Sequence, residues 1–179
     1  MRIARSSRGP EIGHRRRQRR AWLTAALAIV LCGAGQVDAA DCDITAVGLN
    51  FGTYDPSLTG PDDSIGTVTV TCRYVSAGAT KVNYRVTISN GINGTSPTTR
   101  QLGAGAARLG YNVFADPARS QVWGNGTGGT VIASGSMVIG PGVGNGTRTF
   151  THTVYGRIPQ LQDAVPGAYN DTLVLTLTY

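Results

Sequence analysis

The residues of this chain that could carry acid–base, nucleophilic or metal chemistry are few. Of its two histidines, His14 lies in an arginine-rich stretch near the N-terminus and His152 lies in the alternating segment TRTFTHTVYGRI; the one glutamate is Glu11 and the cysteines are Cys32, Cys42 and Cys72. A Ser-His-Asp triad would need His152 as its base. His152 shares a face with Phe150 and Val154, which is the setting of a packed ring, and no nucleophile motif surrounds it. The neighbouring carboxylates Asp62-Asp63 could serve glycosidic chemistry, but they stand in a Pro-, Gly- and Ser-rich stretch where solvated aspartates are expected. With the N-terminal stretch that holds His14 and Cys32 set aside, Cys42, Cys72 and His152 are too few ligands, at no recognisable spacing, for a zinc site. The expectation is therefore a protein that is not an enzyme, with no catalytic, cofactor-binding or metal site.

The first residues have a different purpose. RRRQRR at 15–20 is a basic region, and Ala21 to Ala34 is an apolar run broken only by Thr24 and Gly33. The run is too short and too sharply bounded for a membrane span, so it is expected to be a secretory signal, cleaved after Ala39 with Val37 and Ala39 at the two small-residue positions. Two other leader types fit less well. Arg19-Arg20 before Trp22-Leu23 has only part of a twin-arginine signal, and Leu31 stands where a small residue should precede a lipoprotein cysteine at Cys32. The expected organisation is a signal peptide over 1–39 and a single domain over 40–179, because about 140 residues make one domain with a real core.

Cleavage changes the electrostatics. Eight of the sixteen Lys+Arg lie in residues 1–20, and only Glu11 and Asp38 leave with them on the acidic side, so the mature chain carries Lys81 and seven arginines against eight aspartates. A formal net charge of zero removes the case for nucleic acid or an anionic membrane surface, each of which needs a persistent basic patch. Export to an oxidising compartment leaves Cys42 and Cys72 to pair as a disulfide. Closing a loop of about thirty residues, such a bridge contributes roughly 3 to 4 kcal/mol if unstrained.

The elements that must hold these residues are strands. Ile44 to Phe51 is apolar and β-prone, with Gly48 marking a bulge or bend. After the turn-rich stretch Tyr54 to Ser64, the segment IGTVTVTC alternates, with Val68, Val70 and Cys72 inward and threonines outward. If the two strands pair antiparallel about a turn near Ser57, Cys42 and Cys72 fall opposite each other within reach of a bridge. Lys81 to Ser89 places Val82, Tyr84, Val86 and Ile88 on one face. Further strands are expected over Arg108 to Phe114, Thr130 to Ile139 and Thr147 to Ile158, with Val122-Trp123 a short strand at best. The chain closes with GAYNDTLVLTLTY, Gly167 to Tyr179, where Leu173, Leu175, Leu177 and Tyr179 alternate with Thr172, Val174, Thr176 and Thr178. No segment has a helical period. About seven or eight strands joined by Asn-Gly and Gly-rich turns predict an all-β fold, closed as a two-sheet sandwich. Four sequons occur, at Asn93, Asn125, Asn145 and Asn170; all but the last are Asn-Gly turns, which loop chemistry produces without a glycan.

Several motifs occur in a telling order: Asn50-Phe51-Gly52-Thr53-Tyr54 with Asp55-Pro56, Gly66-Thr67-Val68-Thr69-Val70-Thr71-Cys72, Gly110-Tyr111-Asn112-Val113-Phe114 with Val122-Trp123-Gly124, Tyr155-Gly156-Arg157-Ile158-Pro159, and the final GAYNDTLVLTLTY. Over residues 41–179 this resembles the spore coat protein U domain family, fimbrial-subunit-like proteins of archaic chaperone-usher systems. The resemblance implies an immunoglobulin-like sandwich that lacks one strand, with a donor strand from a partner completing it. It further implies a periplasmic chaperone, an outer-membrane usher and neighbouring pilus or coat subunits as partners, with the periplasm as transit and the cell surface or exterior as destination. By position, the chaperone and donor-strand contacts would fall to Leu173, Leu175, Leu177 and Tyr179. One departure stands out: after the expected cleavage only Ala40 and Asp41 precede Cys42, so little remains to donate onward, as in a tip or terminal subunit. The alternative is a self-contained, lectin-like secreted module using Trp123 and its Gly-rich loops. For Trp123 itself, a place in the core is the stronger expectation.

Overall fold

The structure, a computed structural model, describes residues 40–75 and 79–179. The expected leader over 1–39 and its Cys32 lie outside the described residues. Nine strands follow in order: β1 (Ala40–Val47), β2 (Asp62–Tyr74), β3 (Thr80–Ile88), β4 (Gln101–Ala104), β5 (Ala107–Gly110), β6 (Asn112–Phe114), β7 (Ala133–Ile139), β8 (Thr147–Ile158) and β9 (Leu175–Thr178). Among the described residues the one helical element is a 3-10 turn at Gly144–Gly146.

The strands form a four-stranded antiparallel sheet, β1-β2-β8-β6, a three-stranded sheet, β7-β3-β9, and a small β4-β5 ribbon. Period-two alternation is the reason these segments sit as they do: each has one apolar face that must leave water and one polar face that need not. In β2, Val68, Val70 and Cys72 are buried; in β3, Val82, Tyr84, Val86 and Ile88; in β8, Val154 and Ile158. These faces meet between the sheets with Leu109, Val113, Trp123 and Ile139 to form one core. The outward face of the large sheet is threonine-rich, and Thr69 with Thr151 and Thr71 with Thr149 share hydroxyl hydrogen bonds of 3.2 and 3.1 Å across the ladder.

The expected pairing of the first two strands is present in register, with Cys42 opposite Cys72 and a bridge between them at a Cα separation of 4.0 Å. Several boundaries differ from expectation, among them the start of β7, which is Ala133 instead of the expected Thr130. β1 starts earlier and ends at Val47, because the chain turns out of the sheet at Gly48. Arg108 to Phe114 is two strands in different sheets, parted at Tyr111, and β4 pairs with the first of them. The final ladder is only Leu175–Thr178, preceded by an isolated bridge between Gly103 and Asn170. Asp62 and Asp63 open β2 instead of lying in a loop, and Asp63 accepts two hydrogen bonds from Arg157, at 2.7 and 2.8 Å.

Candidate docking cavity between two unpaired strand edges

β1 and β9 are the outer strands on one side of the sandwich. Among the described residues β1 pairs only with β2, and β9 only with β3. Each therefore presents a row of backbone N–H and C=O groups with no ladder partner, a template for another strand. Between these edges lies a cavity of about 890 Å³. Its floor is apolar, built from Val68, Ile88, Leu109, Tyr111, Val154 and Ile158.

One wall is the segment that follows β1. Having left the sheet at Gly48, the chain lays Leu49 and Phe51 over the inner surface of β8 at Gly156. A Cβ on Gly156 would stand 2.7 Å from Leu49 Cδ1 and 2.8 Å from Phe51 Cζ, so only glycine permits this approach. Phe51 then meets Tyr111 edge to face, with ring centroids 6.1 Å apart. Two polar clamps hold the wall: the Asn50 N–H donates to Ser64 Oγ, which donates back to the Asn50 carbonyl, at 3.1 and 2.7 Å. The Tyr54 hydroxyl donates to the Pro159 carbonyl at 3.0 Å and accepts from the Gln162 N–H at 2.9 Å. Asn50 to Tyr54 and the GAYNDT stretch thus face each other across a single cavity.

The opposite wall is the run from Ala164 into β9. Leu173 and Leu175 line the cavity. Leu177 continues on the same face and packs half-buried against the core, while Tyr179, 53% exposed, lies beyond the cavity lining. Thr172, Val174, Thr176 and Thr178 face solvent, as the alternation requires. The structure therefore gathers Leu173 and Leu175 at the cavity, sets Leu177 beside it and leaves Tyr179 apart. Leu49, Phe51, Tyr111 and Tyr169 join the lining without having been singled out from the sequence. For Phe51, Tyr111 and Tyr169 the signal was the NFGTY, GYNVF and GAYNDT motifs, whose mutual contact is invisible until the fold brings them together; Leu49 lies just outside them.

The other single residues are absorbed by packing. Trp123 is fully buried and its indole N–H donates to the Val86 carbonyl at 2.9 Å, which removes the exposed aromatic that a lectin-like reading required. His152 Nε2 lies 3.0 Å from the Tyr84 hydroxyl, and its ring touches those of Phe150, Tyr84 and Trp123. Burial pushes its pKa below the ordinary histidine value. The Arg157 hydrogen bonds hold the Asp63 carboxyl below the usual carboxylate range, while burial moves Asp62 the other way. No group of three or more potential metal ligands occurs among the described residues.

The chain is similar to known proteins. A chain of the solved chaperone-tip adhesion subunit pre-assembly complex CsuC-CsuE, from archaic chaperone-usher Csu pili of Acinetobacter baumannii, superposes over 78% of this chain with a TM-score of 0.50 and 20% identity. At that identity the likeness is one of fold, and this chain spans 40% of that chain's length. Protein U of Myxococcus xanthus is 33% identical over 137 residues, covering 73% of this chain and 71% of its own. The sequence profile of the Spore Coat Protein U domain matches residues 28–176. The chain belongs to the Spore Coat Protein U domain family.

Proposed function

We propose that this protein is a structural subunit of a surface fibre or coat, assembled by the chaperone-usher route through donor-strand complementation. The observation that carries the reading is the apolar cavity between the unpaired edges of β1 and β9. A strand from a partner would supply both missing ladders and cover the half-buried leucines of β9, converting an aggregation hazard into an interface. Family membership and the fold shared with a chain of a chaperone-subunit complex support this reading. A periplasmic chaperone would hold the cavity first, an outer-membrane usher would pass the subunit on, and a neighbouring subunit would fill it last. In this scheme Leu173, Leu175 and Leu177 contact the incoming strand and Tyr179 serves as the chaperone's handle. With cleavage after Ala39, the subunit accepts a strand without passing one on, which places it at a fibre tip or end; a mature N-terminus ten or so residues further upstream would overturn that placement.

The test is export of the full chain with and without partners. Expressed alone in a periplasm, it is expected to aggregate or exchange strands between copies, and co-expression of a cognate chaperone or addition of a donor peptide restores a soluble species. A chain that accumulates in the periplasm as a soluble monomer and gains nothing from either partner would sink the reading; dilute refolding of the isolated chain in vitro is a separate condition.

A further inference from the structure

The GAYNDT stretch is held in place by a side chain outside the cavity leucines, Asp171. Asp171 Oδ1 accepts hydrogen bonds from the backbone N–H groups of Ile92 at 2.9 Å and Asn93 at 3.3 Å, and from Asn93 Nδ2 at 3.2 Å. Its Oδ2 accepts from the Tyr111 hydroxyl at 2.8 Å. One carboxylate thus ties the wall of the cavity to the turn that follows β3 and to a residue of the cavity floor. The neighbouring Asn170 exchanges two backbone hydrogen bonds with Gly103, at 2.8 and 3.0 Å, and its carbonyl accepts from Asn93 Nδ2 at 3.1 Å. Gly91 makes the room: its φ is +84°, and a Cβ there would lie 1.9 Å from Asp171 Oδ2. Only beyond this point does the wall dock on β3, where the Ser89 N–H donates to the Val174 carbonyl at 3.0 Å and the Val174 N–H donates to Ser89 Oγ at 2.9 Å.

We infer that Asp171 is a positioning residue for the cavity: a latch that fixes the Ala164–Asp171 wall against the 90–93 turn and Tyr111, and so sets where Leu173 and Leu175 stand to receive a strand. What the cavity receives rests on the function proposed above; the latching of the wall does not. A carboxylate suits the task because charge-assisted bonds to several N–H donors are stronger than neutral ones.

The test uses the full chain refolded with its disulfide intact. Two readouts are taken: hydrogen exchange at the Ile92, Asn93 and Val174 amides, and capture of a synthetic strand peptide of about ten residues alternating valine with threonine. Asp171→Ala is expected to raise exchange at all three amides and to weaken peptide capture about tenfold, the scale of losing hydrogen bonds to a charged group. Asp171→Asn keeps an oxygen acceptor for the turn and stays within about threefold of the parent. Gly91→Ala reproduces the alanine defect alone, and in the Asp171→Ala background it loses the collision and keeps only the strain of a side chain at φ +84°, so the two defects are less than additive. Should Asp171→Ala fail to fold, Tyr111→Phe keeps the ring, removes one donor and should shift both readouts the same way by about threefold. Unchanged exchange at Val174 overturns the inference, as does raised exchange with undiminished capture, or an asparagine variant as defective as alanine. If the parent chain itself captures no peptide, the docking function fails, and the exchange data alone decide the latch.

Discussion

The two sides of the sandwich are built from the same kinds of residue to opposite ends. On the side away from the cavity, Tyr84, Val86, Trp123 and Ile139 are all buried. Arg100, 1% exposed, stitches that region together: its guanidinium donates to the carbonyls of Ser89, Ile88 and Trp123 and to Asn112 Oδ1, at 2.9, 3.3, 2.8 and 2.7 Å. Burial draws its pKa down to about 10, which leaves it charged at neutral pH with each nitrogen paired. On the cavity side, the inward residues of β9 remain half-buried although their ladder partners on β3 are covered. Val86 is 0% exposed, and the residue opposite it, Leu177, is not buried. Hydrophobic alternation therefore predicts which face a residue takes. Whether that face is covered depends on how many strands the chain itself supplies.

The difference is most severely tested by placing charge on the open side. Leu175→Asp with Leu177→Asp sets two carboxylates on the face that packs against the core and, in the proposed assembly, against a donor strand. An unpaired charge there carries a desolvation cost of several kcal/mol per group. The expected outcome is no accumulation of the exported chain even when a chaperone is co-expressed, read by immunoblot of the periplasmic fraction. Normal levels and normal assembly would mean that the open face docks nothing.

A gentler comparison uses the cross-strand pair itself. Val86→Ala removes two buried methyl groups and should cost about 2 kcal/mol with or without a partner, since its site is already closed. Leu177→Ala should cost only about 1 kcal/mol in the chain alone, because part of its side chain is wet, and about 2 to 4 kcal/mol once a donor strand covers it. Urea unfolding of the two variants, each with and without donor peptide, gives the four values. Equal costs for Leu177→Ala in both states would erase the distinction between the two sides.

Much of this arrangement could be read from residue patterns, for a physical reason. β2, β3 and β8 each have one wet and one dry face, so alternation fixes them, and two cysteines equidistant from a turn fix the first hairpin's register. What escaped were features decided by distant partners. LGYNVF alternates without a break, yet the chain changes sheets at Tyr111, whose N–H donates to the Arg100 carbonyl instead of joining a ladder. Arg100 in TTRQL looks like a solvated cation, and its acceptors come from three separate segments. The alternation of the last segment begins at Thr172, but Asn170 and Asp171 bond to Gly103 and the 90–93 turn, so the ladder with β3 begins only at Leu175. The same remoteness hid the cavity wall at Leu49 and Phe51, which exists because Gly156 lets them approach.

The smallest expected effect lies on the closed side, at His152. Its ring faces the Tyr84 hydroxyl and the rings of Phe150 and Trp123, and Val68 is its cross-strand neighbour; among these only tyrosine titrates, and burial pushes Tyr84 upward, away from neutrality. Burial lowers the histidine's own pKa from 6.5, so at mildly acid pH the unfolded chain binds a proton that the folded chain resists. Its contribution is therefore complete above about pH 6.5 and is lost as pH falls through that value toward the folded pKa. Asp63, held low by Arg157, contributes in a separate window, losing its stabilising effect only as pH falls below 3.8 through its depressed folded value. His152→Gln can still hydrogen-bond the Tyr84 hydroxyl but cannot charge. Urea midpoints measured from about pH 8 to about pH 4.5 should slope downward below about pH 6.5 in the parent and flatten in the variant, with little change at neutral pH. A slope that survives the substitution would place the acid-sensitive group elsewhere, and the closed side would then be no more than an apolar seal around a silent ring.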